Sequence, residues 1–527
     1  MKRILNIAVL LAGLFMVIVS CTKDLDTVPL DEDVTTAANV FDDPAAYQEV
    51  LAKLYAGLAV SGQEGPSGNG DISGIDEGFG QYLRGWWYHQ ELPTDEAVIG
   101  WNDQTIKDFH YQTWGSSDVF IAAMYYRIFY QISACNEYIR ETADSKLDER
   151  GVTGELRTDV EKFRAEARFL RALSYWHAMD LFGNVPFVTE ADAVGSFFPE
   201  QTSRADLFNY VESELLAIEP LMLDPRAVYG RADKATVWAV LAKIYLNAEV
   251  YAGVNKYAEC ATYCTNIINA GYELSPVYAN LFLADNDVNN NEIIFAINFD
   301  GDNTRTWGGT NFIIHAAIGG DMNPADFGFG GGWGGTRTTS AFVNKFPDET
   351  GTLDKRAMFF TSGQNKEIVN MGEFTDGYAI TKFKNKTSTG SGGKSVDFPD
   401  TDFPVFRLAD FYLMYAEAAI RGAADMNMAV DYVNAVRERA YGDDAGNVGT
   451  TDLTLDFILD ERARELYWEC HRRTDLVRFG KFTTADYLWP WKGNVPEGKA
   501  TADKFNLFPI PASDIGANPN LQQNTGY

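Results

Sequence analysis

Tryptophan recurs in this chain beside glycine and hydrogen-bonding side chains. Trp86 and Trp87 follow Arg84, Trp101 precedes Asn102, Asp103 and Gln104, and Trp307 precedes two glycines. Trp333 lies inside a glycine tract, GFGGGWGG, at 328–335. A flat indole can stack on the C–H face of a sugar ring while Arg, Asn or Asp meets the hydroxyls at its rim. Glycine lets loop backbone approach without side-chain obstruction. The competing reading is that these rings plug loops onto a scaffold and touch no ligand.

Other chemistries lack their residues. The sequence holds no G-x-x-x-x-G-K-[ST] phosphate loop, no H-E-x-x-H and no G-x-S-x-G elbow. The 328–335 tract follows no clear strand and opens no helix, so it does not read as a nucleotide loop. Of five histidines, His177 sits on an apolar helical stripe and reads as a core residue. A glycosidase needs two carboxylates facing across a bond, and carboxylates are too numerous here for spacing to pair them. A net charge of −30 argues against nucleic acid and against an anionic membrane surface as partners. Cys135, Cys260, Cys264 and Cys470 read as small core residues rather than disulfides or a metal site.

The elements that would position the rings are mainly helical. In 161–190, Phe163, Ala167, Leu170, Ser174, His177 and Leu181 alternate by four and three, the stripe of a helix of roughly six turns. Glu161, Arg164, Arg168 and Arg171 lie opposite and read as its solvated side, and Gly183 and Pro186 end it. Further helices are expected at 43–58, 118–142, 202–219, 233–252, 256–270, 408–422, 426–440 and 455–477. Trp238, Leu241, Ala242 and Tyr245 have the spacing of a tetratricopeptide first helix, with 256–270 as its partner. The expected fold is mainly α, a tetratricopeptide-like scaffold (about 42–60, 118–270 and 406–478) carrying a loop-rich face (about 61–117, 271–405 and 479–527). A short strand is expected at 292–298. Long loops in a compact protein usually carry function.

Residues 1–20 read as a removable signal. Lys2 and Arg3 precede an apolar run, too short to span a bilayer at ~20 residues, and Ile18-Val19-Ser20-Cys21 matches a bacterial lipoprotein cleavage site. Cys21 would then carry diacylglycerol, with 21–41 as an acidic tether. Acyl chains hold a protein to a membrane at ~0.8 kcal/mol per buried CH₂.

Five stretches together resemble the SusD family of Bacteroidetes surface glycan-binding lipoproteins. They are RFLRALSYWHAMDLFGNVPF (168–187), GRADKATVWAVLAKIYLNAEVYAG (230–253), FRLADFYLMYAEA (406–418), ERARELYWECHRRTDLVRFGKF (461–482) and NLFPIPASDIGANPNLQQNTGY (506–527). GRADKA, LPTDE, TDLVRFG and LW-x-WKG also resemble the family's founding starch binder. The resemblance implies one helical body with tetratricopeptide-like units, no catalysis and no required cofactor. It implies an outer-membrane position facing the exterior, and transfer of oligosaccharide to a TonB-dependent transporter of the SusC type. It implies that Trp101, Trp307 and Trp333 form an aromatic arc for a starch-like α-glucan, Trp307 replacing a Tyr. Arg84 would bond sugar hydroxyls, with Asn102 or Asp103 as its partner. It also suggests a structural Ca²⁺ near Asp285 and Asp287, against the alternative of a solvated loop without the EF-hand pattern.

Overall fold

The computed structural model describes residues 40–527 except 63–64, 67–69, 196 and 289. Cys21, the signal and nearly all of the tether therefore lie outside the described residues. The chain divides into two units, Met1–Tyr47 and Gln48–Tyr527, and the helical body is the second. Among the described residues no helix is long and apolar enough to cross a membrane.

The principal helices are α1 (Ala46–Ala59), α2 (Tyr82–Glu91), α3 (Val119–Glu141), α4 (Gly154–Phe182), α5 (Arg204–Ile218), α6 (Lys234–Leu246), α7 (Tyr257–Ile268), α8 (Gly309–Ala316), α9 (Leu408–Ile420), α10 (Met426–Tyr441), α11 (Leu455–Leu466) and α12 (Arg472–Arg478). Neighbours in sequence pack as pairs: α3 on α4, α6 on α7, α9 on α10. The face α7 offers to α9 joins two of these pairs. This is the helical-hairpin repeat that the spacing at Trp238 anticipates. Caps match the sequence: Asp118 accepts from Phe120 N and Ile121 N, and Asp233 forms a capping box with Thr236.

The rod α4 begins two turns earlier than its stripe suggests and is buried on all sides from Phe169 to Phe182. Its carboxyl end leaves orphan carbonyls, and the chain's last segment satisfies them. Phe508 N donates to Leu181 O at 2.8 Å, and Asn524 Nδ2 donates to Phe182 O at 2.8 Å. The side of α4 expected in solvent is corrected in part: Glu161 is exposed, Arg164 and Arg168 are half-buried, and Arg171 is inside. Arg171 is buried and bonds Asn136 Oδ1 at 2.7 Å and Glu214 Oε2 at 2.9 Å, with Glu190 as a further partner. Arg168 shares Glu214. The carboxylates brought by Glu214 of α5 and by Glu190 in the turn beyond α4 let the cations sit inside, where an unpaired one would be too costly.

A second correction concerns 61–117. It is not loop throughout: α2 lies within it, every residue of α2 is buried, and Ile106–Tyr111 adds a short helix. Trp86 and Trp87 are therefore core residues and not exposed rings. Trp86 stacks on His177 at 4.5 Å, and Trp87 meets Trp468 at 5.2 Å and Phe312 at 5.3 Å. His177 is a core histidine as expected, its Nδ1 2.9 Å from Tyr82 Oη, and burial lowers its pKa to about 3. Cys135, Cys260, Cys264 and Cys470 are buried free thiols.

The 271–405 insertion is closed at its base by an antiparallel pair, β2 (Ile293–Ile297) and β4 (Phe403–Arg407), in the register Ile293↔Arg407 to Ile297↔Phe403. It is then fastened to the scaffold by buried charge. Glu461, Glu465 and Glu469 stand four residues apart along α11 and its exit. Arg356 bonds Glu461 at 2.7 Å and Glu465 at 3.1 Å. Arg407 bonds Glu292 at 2.9 Å, Glu465 at 2.6 Å and Glu469 at 2.6 Å. Lys382 reaches Glu469 at 2.6 Å, and Arg439 joins Glu292 and Glu465. Three of these partners, Glu292, Arg356 and Lys382, come from the insertion, so the ERARELYWE segment is where face and scaffold are joined.

Candidate functional site

Three elements meet where the candidate rings lie. The first is a two-residue antiparallel pair, β1 (Val98–Ile99) with β3 (Thr336–Arg337), in the register Val98↔Arg337 and Ile99↔Thr336. The pairing continues as Gly100 N donates to Gly335 O at 2.9 Å. It thereby sets Trp101 opposite the residues before Gly335, and Trp101 Nε1 donates to Trp333 O at 3.2 Å.

β1 is itself held from below by the LPTDE segment. Asp95 takes a two-pronged bond from Arg472 (2.7 and 3.0 Å) and the Tyr487 hydroxyl at 2.5 Å. Burial alone would raise the Asp95 carboxyl, but the Arg472 guanidinium holds it below the usual carboxylate range. Glu96 accepts from Trp468 N at 3.2 Å. These carboxylates are structural and position Trp101.

The second element is α8. Its last turn leaves carbonyls that need donors, and the glycine tract supplies them. Trp333 N donates to His315 O, Gly334 N to Ile318 O and Gly335 N to Ala316 O, each at 2.8 Å. Glycine is needed for this approach. A Cβ at Gly335 would sit 2.5 Å from the Trp101 ring, and one at Gly332 2.4 Å from Ile318 O. Arg337, buried, donates to the carbonyls of Gly335, Met371, Glu373 and Asp376 and locks the strand that follows. We expect Gly335→Ala to displace the Trp101 indole while the fold persists. Loss of mutual quenching in tryptophan fluorescence would report it, at nearly unchanged melting temperature.

The third element is the turn into α8. Gln81, the N-cap of α2, accepts from both Arg84 N (2.7 Å) and Gly309 N (2.8 Å). Gly308 and Gly309 let the turn fold against Gln81 and Phe299, where a Cβ would lie 2.4 and 2.3 Å away. Thr306 donates to Glu77, which also takes the Ser61 hydroxyl. Trp307 is left against the Trp333 ring.

The three indoles are half-buried and consecutive. Trp333 is the middle ring, 6.2 Å from Trp101 at 47° and 6.1 Å from Trp307 at 60°. Trp307 is backed by Phe398 at 4.9 Å and Trp101 by Phe312 at 6.1 Å. Tilts of this size between successive planes make a bent apolar strip rather than a flat one.

Arg84 lies beneath the strip, 4% exposed, between the Phe79 and Phe312 rings at 4.3 and 4.4 Å. Its Nε donates to Tyr88 Oη at 2.8 Å and its Nη1 to Trp307 O at 2.9 Å, so it supports Trp307 directly. Nη2 makes no hydrogen bond among the described residues. Asn102 is exposed and accepts from Lys107 Nζ at 2.6 Å. Asp103 is the one whose charge reaches Tyr88, the acceptor of Arg84. The structure thus gathers Trp101, Trp307, Trp333, Arg84 and Asp103, and turns the Asn102 side chain toward Lys107. His315, beneath Trp333 at 4.8 Å and 17°, belongs to the same assembly. Nothing in its sequence neighbourhood, GTNFIIHA, marks it.

Asp285 uses its carboxylate on Ser388 N (2.8 and 3.0 Å) and the Ser388 hydroxyl (2.7 Å). Asn286 bridges Leu281 O and the Asp402 backbone. Asp287 lies near Asp402, whose carboxyl burial raises to about 7. Among the described residues no group of three or more His, Cys, Asp or Glu is arranged to hold a metal.

The sequence profile of the SusD family matches residues 360–527. The starch-binding protein SusD of Bacteroides thetaiotaomicron is 36% identical, over 99% of this chain and 98% of its own length. SusD-like protein P25 of Formosa agariphila is 28% identical over 69% of this chain and 73% of its own. Among solved structures, a SusD homolog from B. thetaiotaomicron superposes with a TM-score of 0.72 at 18% identity, over 93% of this chain and 98% of that one. Surface glycan-binding protein A from the same organism, in complex with laminarihexaose, gives 0.69 at 20% identity, over 91% and 98%. At such identities the solved structures speak for the fold alone. The identity to the B. thetaiotaomicron protein spans nearly both whole lengths, and on that ground the chain belongs to the SusD family.

Proposed function

We propose that this chain is a non-catalytic cell-surface protein that binds starch-like α-glucan and delivers it to a SusC-type TonB-dependent transporter. The observation that carries the reading is the strip of successively tilted rings, Trp101, Trp333 and Trp307. An α-linked glucan curves along its length, and successive sugar faces turn relative to one another. Planes inclined at 47° and 60° fit such a chain better than an extended β-glucan. The name of the 36%-identical relative supports the same ligand. In this reading Asp103 meets sugar hydroxyls beside the strip, and Arg84, 4% exposed, holds Trp307 from beneath and bonds a hydroxyl only where the sugar reaches down to it. In this reading Cys21 is acylated and holds the protein to the outer membrane, facing outward.

Each stacked sugar buries little area and ordering a flexible glycan costs entropy, so a single site should bind weakly. A polymer offering many registers would be retained by avidity. Calorimetry with maltoheptaose and with cellohexaose, plus affinity electrophoresis in amylopectin, tests the ligand. We expect maltoheptaose binding and amylopectin retardation, with little response to cellohexaose and no reducing-sugar release. Absent retardation, or retardation unchanged in Trp101→Ala with Trp333→Ala, overturns it. Mass spectrometry of the mature amino terminus tests the anchor, an unmodified terminus ruling it out. Co-purification with an outer-membrane transporter tests the delivery step.

A further inference from the structure

We propose that His315 is a positioning residue that fixes the plane of Trp333 and so sets the curvature of the strip; this deepens the glycan reading above and rests on it for its functional consequence. The tract around Trp333 cannot hold the ring by itself. Its neighbours on both sides are glycines, and at Gly330 and Gly331 a Cβ would meet nothing. The residues adjoining Trp333 therefore offer it no side chain to lean on. The backbone bonds to α8 fix where Trp333 begins but leave its side-chain torsions open.

The indole's tilt must come from the rings it touches. Trp101 and Trp307 meet it at its flanks, inclined at 47° and 60°. Among the described residues only His315 lies nearly parallel to it, at 4.8 Å and 17°. His315 cannot yield. It is 5% exposed, and its other side is pressed by the buried Phe329 ring at 3.8 Å. Its Nδ1 stands 3.1 Å from the Asn311 carbonyl, which can only accept, so Nδ1 carries the proton and donates. Its backbone carbonyl receives Trp333 N. One residue therefore holds Trp333 twice, by main chain and by ring. Phe329, His315 and Trp333 form a column, with the sugar as its next layer. Burial keeps the imidazole neutral, its pKa lowered to about 4, so the column carries no charge at neutral pH.

The test compares His315→Ala, His315→Phe and His315→Asn. Phe restores a ring without the N–H, whereas Asn offers an N–H without a ring. Two readouts are taken beside the melting temperature: maltoheptaose affinity, and the far-ultraviolet circular-dichroism couplet expected of indoles inclined to one another at about 6 Å. We expect His315→Ala to weaken binding at least about fivefold and to diminish the couplet. Phe should restore both to within about twofold, and Asn should not. An unchanged couplet and affinity in His315→Ala overturns the proposal, as does rescue by Asn but not Phe. Should the alanine variant fail to fold, the Phe-against-Asn comparison decides alone. Should the wild-type protein not bind maltoheptaose, the couplet still decides the positioning role, and only the ligand reading falls.

Discussion

Trp333→Ala should lower maltoheptaose affinity at least about 30-fold, a loss of about 2 kcal/mol or more, the range of a central aromatic hot spot. The expectation follows from its place as the middle ring. Removing it takes away one stacking surface and also parts Trp101 from Trp307, so a bound chain would have to bridge a gap of one sugar. Trp101→Ala should cost less, about tenfold, because it leaves Trp307 and Trp333 in contact. Both indoles are half-buried, and the backbone bonds of the tract to α8 survive either change. Melting temperatures should therefore move far less than affinity, and calorimetry set beside thermal unfolding separates the two effects. A variant that loses affinity and stability in proportion would mean that Trp333 serves packing rather than ligand.

The largest stability effect should come from Arg407→Ala. Its guanidinium lies between Glu292, Glu465 and Glu469, all buried, and its loss removes the one cation shared by all three, leaving Arg439, Arg356 and Lys382 to balance them. Breaking a buried pair in this way costs about 3–5 kcal/mol. The penalty should depend on pH. Burial pushes the Glu465 carboxyl upward, but the guanidiniums of Arg439, Arg407 and Arg356 overcome this and hold it at about 2, against an ordinary value of 4.5. A carboxyl depressed on folding adds stability that is complete above its unfolded value and disappears as pH falls through its folded one. The gap in urea midpoint between wild type and variant should thus be widest near neutrality, narrow below about 4.5, and nearly close toward 2. A gap independent of pH would show that Arg407 acts by packing alone.

How much of this is readable in the sequence depends on periodicity. Helices with one wet face, such as α7 and α10, display their stripes and can be placed closely. The helix α2 escapes such a reading because all ten of its residues are buried, so no polar face alternates with an apolar one. Trp86 and Trp87 then look like loop aromatics. Arg171 reads as solvated because a charge pattern does not reveal a partner 43 residues away, at Glu214. The carboxylates of the ERARELYWE segment are illegible for the same reason: their partners come from 356, 382, 407 and 439. Trp101, Trp307 and Trp333 stand out by composition and family resemblance, never by spacing, since three separate segments bring them together. His315 gives no signal, because stacking beneath another ring is a property of the fold.

The capping of α8 by the glycine tract has a kinetic consequence. Moving Trp333 as a lid would expose the helix-end carbonyls of His315, Ala316 and Ile318 together, each now bonded at 2.8 Å. A loop secured in this manner has no open and closed forms to exchange between. Capture should then be a single collision-limited step without a slow isomerisation, and ligand-free and ligand-bound crystals should superimpose along 328–337. Release should be equally unhindered.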